Sequence, residues 1–378
     1  MYRGRPDPLR AQPTPGGHSL VKNENKQAYR FIEKALRKGP SLEAAPNAVH
    51  LGDAVRDVIL FAAMTQRTPE SAVAVLKDRG RDAPSPDVVH SRVRETRARD
   101  LVHLFEPCLE KVFRDAKRRR LFTGPKRVAI DIHEKPFYGE AEGTVRGQAR
   151  SGTTRFWAYI TLDIVQEGCR YTLAALPLTD KTRAAALVEE LLRYALRWIR
   201  IGIVLLDRFF YRSDVVRAVE ALGLDWLMAA RTSKGLRRKA EQARMRGRGC
   251  FRYTMNPGKV NQVSFIVFTV PAEKGGLHYF AVSRGVRNLR HWAGVYRLRW
   301  GIETGYRVKR GFLARTAVRC LCVRLFFFLL SVLLQNVWEL MGRGEGGATA
   351  DLFRDRCVRL ILGGLRADVQ GFSLGAPG

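Results

Sequence analysis

The chain is expected to fold as an α/β protein. A mixed five-stranded sheet carries helices, a helical region precedes it, and a β-rich insertion interrupts it late. Three observations predict this class. Hydrophobic residues make up 46% of 378 positions, enough for a sizeable core. Between residues 125 and 233 apolar runs and helical periods follow one another as three strands, a helix, a strand, a helix and a strand. Before residue 125, and again from about 288, the apolar spacing is helical. Six segments result: a disordered basic tail over 1–22, a helical region over 23–124, the first part of the sheet domain over 125–233, the insertion over 234–286, a second helical part over 287–342 and a loose tail over 343–378.

The tail is rich in Pro, Gly and Arg and has no apolar centre, so neither a core nor a signal peptide is expected there. Helical spacing marks residues 25–38, 53–66 and 71–77. Thr68-Pro69-Glu70 and Ser85-Pro86-Asp87 are helix starts, with Pro at a position where its missing N–H costs nothing. Two short helices joined near 80–84 fit a helix-turn-helix whose second member carries Arg92, Arg94, Arg97 and Arg99. They equally fit a small bundle with a solvated basic face.

Strands are expected at 128–132, 155–165, 170–178, 201–206 and 224–230, with Glu167-Gly168 as a turn. An amphipathic helix spans 181–197, and Ser213 caps another that runs to 222. Residues 234–249 are crowded with Lys, Arg and Gly. Strand-like runs then cover 251–256, 260–270 and 277–283. Helical period returns at 288 and persists to 341. The apolar run 325–334 sits in a longer stretch broken by Arg324, Gln335, Asn336 and Glu339. A membrane span needs roughly 20 apolar residues, so a buried helix is expected and no membrane partner.

Lys and Arg total 66 against 36 Asp and Glu, a formal charge of +30 with a pI near 10.6. The excess is spread along the chain, which favours a long basic surface for nucleic acid over a short anchor. Six cysteines form no CxxC pair and no zinc-spaced cluster, so reduced thiols and a cytoplasmic, nucleoid-associated location are expected.

Asp131 lies within or at the end of one apolar strand, and Asp207 ends another. A carboxylate is costly to desolvate, so either residue alone would pair with an arginine or face water. In the strand order above, the first and fourth strands lie parallel and adjacent, which puts both acids at one sheet edge, where sites form. Adjacent carboxylates repel, and divalent metal relieves the repulsion. A third carboxylate is available further on. Tyr296, Arg299, Glu303 and Arg310 are spaced by three, four and seven residues and fall on one stripe of a helix at about 100° per residue. On that stripe Glu303 suits metal, Arg299 and Arg310 suit phosphates, and Tyr296 suits stacking or hydrogen bonding beside a DNA end. A solvated amphipathic helix is the plainer alternative.

The spacing Tyr296-x2-Arg299-x3-Glu303-x6-Arg310, within YRLRWGIETGYRVKR, resembles the YREK signature of the insertion-sequence-4 group of DDE transposases. The RWGIE core with Trp300 is close to the family pattern. LLDRFFY around Asp207 and VAIDIHEKPFYG around Asp131 resemble the two aspartate motifs, and the resemblance covers about residues 125–340. Arg310 stands where the family has Lys, with Lys309 beside it. The resemblance implies a ribonuclease H-like core and two Mg2+ ions, with Mn2+ able to substitute, held by Asp131, Asp207 and Glu303. It also implies strand cleavage and strand transfer at terminal inverted repeats, DNA ends and target DNA as partners, and a homodimer on DNA. DNA contacts are expected from Tyr296, Arg299, Trp300, Lys309, Arg310 and, after the fifth strand, Arg231. His133, Lys135 and the basic run 234–239 are weaker candidates, and Arg208 is placed to neutralise Asp207. A catalytically inactive DNA-binding protein derived from a transposase is the alternative reading, and a nuclease without strand transfer is a third.

Overall fold

The computed structural model describes residues 17–39, 49–50, 52–94, 97–272, 275–342 and 349–363. Most of the expected basic tail, residues 1–16, lies outside the described residues, as do 343–348 and 364–378 of the C-terminal tail. Residues 17–22, expected in the basic tail, instead form the first turns of α1 (Gly17–Leu36). Within the C-terminal tail, α12 (Ala350–Gly363) is an ordered helix with Phe353, Cys357 and Ile361 buried.

The N-terminal helices continue with α2 (Gly52–Thr65), α3 (Pro69–Asp78), α4 (Pro86–Arg94) and α5 (Ala98–Arg118). Thr68 caps α3 by accepting from the Ser71 N–H at 3.3 Å, with Pro69 at the first helical position. Gln66 ends α2 in the left-handed region at φ 54°. These helices share one hydrophobic core with the sheet and with α11 (Leu321–Val337). Every side chain of α11 from Val323 to Val337 is buried. It packs against α5 and α4 on one side and α10 and β4 on the other. This burial accounts for a helix that is, with its short π-helical extension to Met341, long and apolar enough to cross a membrane.

The sheet has nine strands rather than five. The five expected are β1 (Lys126–Phe137), β3 (Thr153–Ile164), β4 (Thr172–Pro177), β5 (Ile201–Leu206) and β6 (Trp226–Ala229), adjacent in the order β4-β3-β1-β5-β6. β1 runs antiparallel to β3 and parallel to β5, and β5 is parallel to β6. Helices α6 (Ala184–Leu196) and α7 (Ser213–Ala221) make the two crossovers.

Four strands extend this set. β2 (Val145–Arg150) folds onto β3 through Ser151 and Gly152, whose φ values of 52° and 75° suit a tight two-residue hairpin. β7 (Cys250–Met255), β8 (Val263–Pro271) and β9 (Leu277–Val282) are the strands of the β-rich stretch. They do not form a separate layer. β9 pairs antiparallel with β6, Leu227 opposite Val282, so β9, β8 and β7 continue the sheet past its expected edge. The basic run before them is α8 (Lys234–Met245), capped by Ser233, with only Leu236, Ala240 and Ala243 buried. α9 (Leu289–Arg297), a 3-10 turn over Leu298–Trp300 and α10 (Gly301–Gly311) then cover one sheet face.

β1 is longer than its apolar run because pairing with β3 continues to Phe137 opposite Arg155, while pairing with β5 stops at Ile130. Beyond Ile130 one edge of β1 is open, which tolerates Pro136 and its missing donor.

Candidate active site

The last parallel pair between β1 and β5 is Ile130 with Leu206, so Asp131 and Asp207 are the next residue on each strand. Their facing follows from strand alternation. Ile130 and Leu206 point into the main core, whereas Ala129 and Leu205 point into the cluster formed with Val295, Tyr296, Ile302 and Tyr306. The two acids share the second face and open beneath the α9–α10 segment.

That segment delivers Arg299 between them. Its guanidinium lies 3.4 Å from Asp131 and 4.0 Å from Asp207, and the side chain is only 10% exposed. Asp131 also accepts a hydrogen bond from the Ile132 N–H at 2.9 Å. Burial pushes the Asp131 carboxyl up to about 6; Arg299 opposes the shift, and the Asp207 and Glu303 charges add to it. Glu303 is exposed on the first turn of α10. Its charge reaches Asp131, but among the described residues no three acidic, His or Cys side chains stand close enough to chelate one ion. The donor set nonetheless fits a divalent cation. Two carboxylates converge on one positive charge, a third is within electrostatic reach, and all are hard oxygen ligands. The Arg299 guanidinium occupies the position between the two carboxylates.

The other residues of the predicted stripe take different places. Tyr296 is buried: its hydroxyl donates to the Leu206 carbonyl at 3.3 Å, and its ring lies 5.0 Å from that of Phe280. It supports the strand end that carries Asp207, and 9% of the residue is exposed, at the wall of the groove that Trp300 also lines. Arg299, expected on a phosphate, donates to Asp131 and is ion-paired with Asp207. Trp300 is 62% exposed and lines, with Asp207, Arg208, Tyr279 and Arg297, a groove of about 710 Å3. Arg310 is exposed and lines a second cavity, of about 520 Å3, together with Asp131. Arg231 is exposed just beyond β6. Arg208, expected to neutralise Asp207, is exposed, and Arg299 takes that role.

Lys309, expected on DNA, is 2% exposed and paired inside the protein. Its ammonium donates to Asp163 and to the Thr172 hydroxyl, each at 2.6 Å. Thr161 donates to the other Asp163 oxygen at 2.7 Å and sits 2.8 Å from the Tyr306 hydroxyl. This network ties α10 to β3 and β4, and so positions the helix that carries Glu303. Asp163 escaped the sequence reading, although its place at the end of the apolar run FWAYITLDI was a signal. His133 is stacked on Phe328 and lies 4.7 Å from the Tyr306 ring. Burial, reinforced by Lys309 and Arg310, pulls its imidazole down to about 3, so it is neutral.

Residues 178–334 match the family model of the transposase DDE domain. Asp207 and Glu303 lie inside the matched stretch, and Asp131 precedes it. No curated protein matches the chain in sequence. The fold is similar to that in a cryo-EM structure of a piggyBac transposase synaptic complex with hairpin DNA, with a TM-score of 0.59 over 93% of this chain and 82% of that one, at 10% identity.

Proposed function

We propose that this protein is a DNA transposase of the insertion-sequence-4 group, with a ribonuclease H-like core, that cuts and joins strands at the inverted-repeat ends of a mobile element. One observation carries the reading: Asp131 and Asp207, 76 residues apart in the chain, each follow the last parallel pair between β1 and β5 and flank a single positive charge. The strand order β4-β3-β1-β5-β6 supports the core assignment, and the net charge of +30 supports a polyanionic substrate.

Asp131, Asp207 and Glu303 would hold two Mg2+ ions, with Mn2+ able to substitute, and the ions supply activation of the attacking oxygen and relief of charge on the leaving one. Protein groups do the rest. Arg299 holds the two aspartates together. Tyr296 fixes the end of β5, and the Lys309–Asp163 pair fixes α10. Trp300 and Arg310, on opposite sides of the acids, are placed to touch the DNA end, and Arg231 to touch its flanking backbone. A homodimer would bring two ends together and present them to target DNA.

The test is nicking. Purified protein with Mg2+ should nick DNA carrying the inverted repeats that flank its coding region, and Asp131→Asn should bind that DNA without nicking it. Equal nicking by the variant would remove Asp131 from the site. The Arg299 bridge favours a second reading, a DNA-binding protein whose acids are permanently locked. In that case the wild type would bind the repeats and never cut them.

A further inference from the structure

The cavity on the Asp131 side has no assigned role. Its volume of about 520 Å3 is that of a small-ligand site, large enough for one nucleotide of a strand. Distant parts of the chain build it: Gln66 at the end of α2, Lys135 on β1, Arg150 at the end of β2, Arg310 on α10 and Arg315 in the extended segment that follows. That segment is pinned. The Arg315 N–H donates to the Arg67 carbonyl at 3.0 Å, and Arg324 donates to the carbonyls of Val318 at 2.7 Å and Thr316 at 3.2 Å.

The charge in the cavity is unbalanced. Among the described residues Lys135, Arg310 and Arg315 have no carboxylate partner. Glu134, the acid there besides Asp131, is engaged by Lys181 at 2.9 Å and by Arg150 at 3.8 Å. Burial, with Arg324 and Arg315 nearby, holds the Lys135 ammonium below its usual range. Crowded cations in a concave site repel one another unless an anion joins them. Next to acids that act on phosphodiesters, the matching anion is a backbone phosphate.

We propose that this cavity seats a phosphate of the DNA strand adjoining the bond to be cut, with Lys135 and Arg315 as positioning residues that set the register of that strand on Asp131. The inference rests on the transposase reading and adds residues that lie outside the acidic triad and its helical stripe. Gln66 brings the N-terminal helices to the same strand.

The experiment walks a single uncharged methylphosphonate linkage along a DNA end bearing the terminal repeat. Nicking rate and cut position are measured for the wild type, Arg315→Ala and Arg315→Lys. Arg315 is exposed, so neither change threatens folding. One linkage beside the cut should slow the wild type by about tenfold or more. Arg315→Ala should slow native DNA similarly, be nearly indifferent to that linkage and cut with a blurred register. Arg315→Lys should recover part of the rate. Losses that multiply at every linkage, or wild-type rate and register in Arg315→Ala, would overturn the seat. Should the wild type not nick at all, the transposase reading fails by itself. The seat is then read from binding anisotropy with the same linkages. A loss at one linkage in the wild type that vanishes in Arg315→Ala supports it, and a profile unchanged by the substitution refutes it.

Discussion

Replacing Asp131 by Asn should make the metal-free protein more stable while abolishing nicking. The carboxyl has its pKa raised from 3.8 to about 6 by burial between β1 and the α9–α10 segment, with Asp207 and Glu303 adding repulsion. A folded-state value above the unfolded one means that the ionised form is the disfavoured one. Stability associated with the protonated group is complete below about pH 4 and is lost as pH rises through about 6. The cost above that window is about 3 kcal/mol, from roughly two pH units at 1.36 kcal/mol each. Asn removes the charge and also removes a partner of Arg299, which offsets part of the gain and leaves about 1–3 kcal/mol. The assay is urea unfolding in EDTA at several pH values. Asn should exceed the wild type by that margin at pH 7.5, with the gap falling to about half near pH 5. Mg2+ should then stabilise the wild type more than the variant, because the variant has lost one of the three carboxylate ligands. An Asn variant no more stable than the wild type at pH 7.5 in EDTA, or a gap that does not shrink on acidification, would refute the account of Asp131 as a repelled, desolvated carboxylate.

Three further outcomes follow from the same geometry. Lys309→Met leaves Asp163 buried without its cation and should cost about 3–5 kcal/mol in denaturant unfolding, much of it recovered when Asp163→Leu is added. Glu303→Gln, on an exposed position, should change stability by no more than about 0.5 kcal/mol while nicking is lost, a separation that thermal melts and the nicking assay read together. Trp300→Ala should fold normally yet bind DNA ends about 1–3 kcal/mol more weakly by anisotropy, the range for loss of one stacking platform.

Much of the fold was legible locally. The strand 201–206 is β5 to the residue, and Thr68 caps α3 as expected, because these depend on neighbours in the chain. Ser213, expected as a cap, is instead the first helical residue of α7, behind an Arg212 that makes no side-chain cap, and its hydroxyl accepts from the Asn256 amide. The continuation of the sheet through β9 was not legible: whether β6 ends the sheet or gains a partner depends on a pairing more than 50 residues away, Leu227 with Val282. β2 was missed because its residues, Val145 to Arg150, are mostly polar and exposed, leaving no apolar alternation to read.

The sequence by itself determined that Asp131 lies in one apolar strand and Asp207 just past another, and that residues 289–311 are largely helical, since strand alternation and helical pitch follow from local geometry. Only the tertiary structure decided what each cation does. Lys309 and Arg310 are adjacent in the chain, yet one is sealed against Asp163, 146 residues away, and the other lines an open cavity. Arg299, chemically as fit for phosphate as Arg310, is held by the two aspartates. Periodicity sets the direction in which a side chain points. Burial and partner depend on which distant element arrives to cover it, and that is settled only when the sheet and α10 pack together.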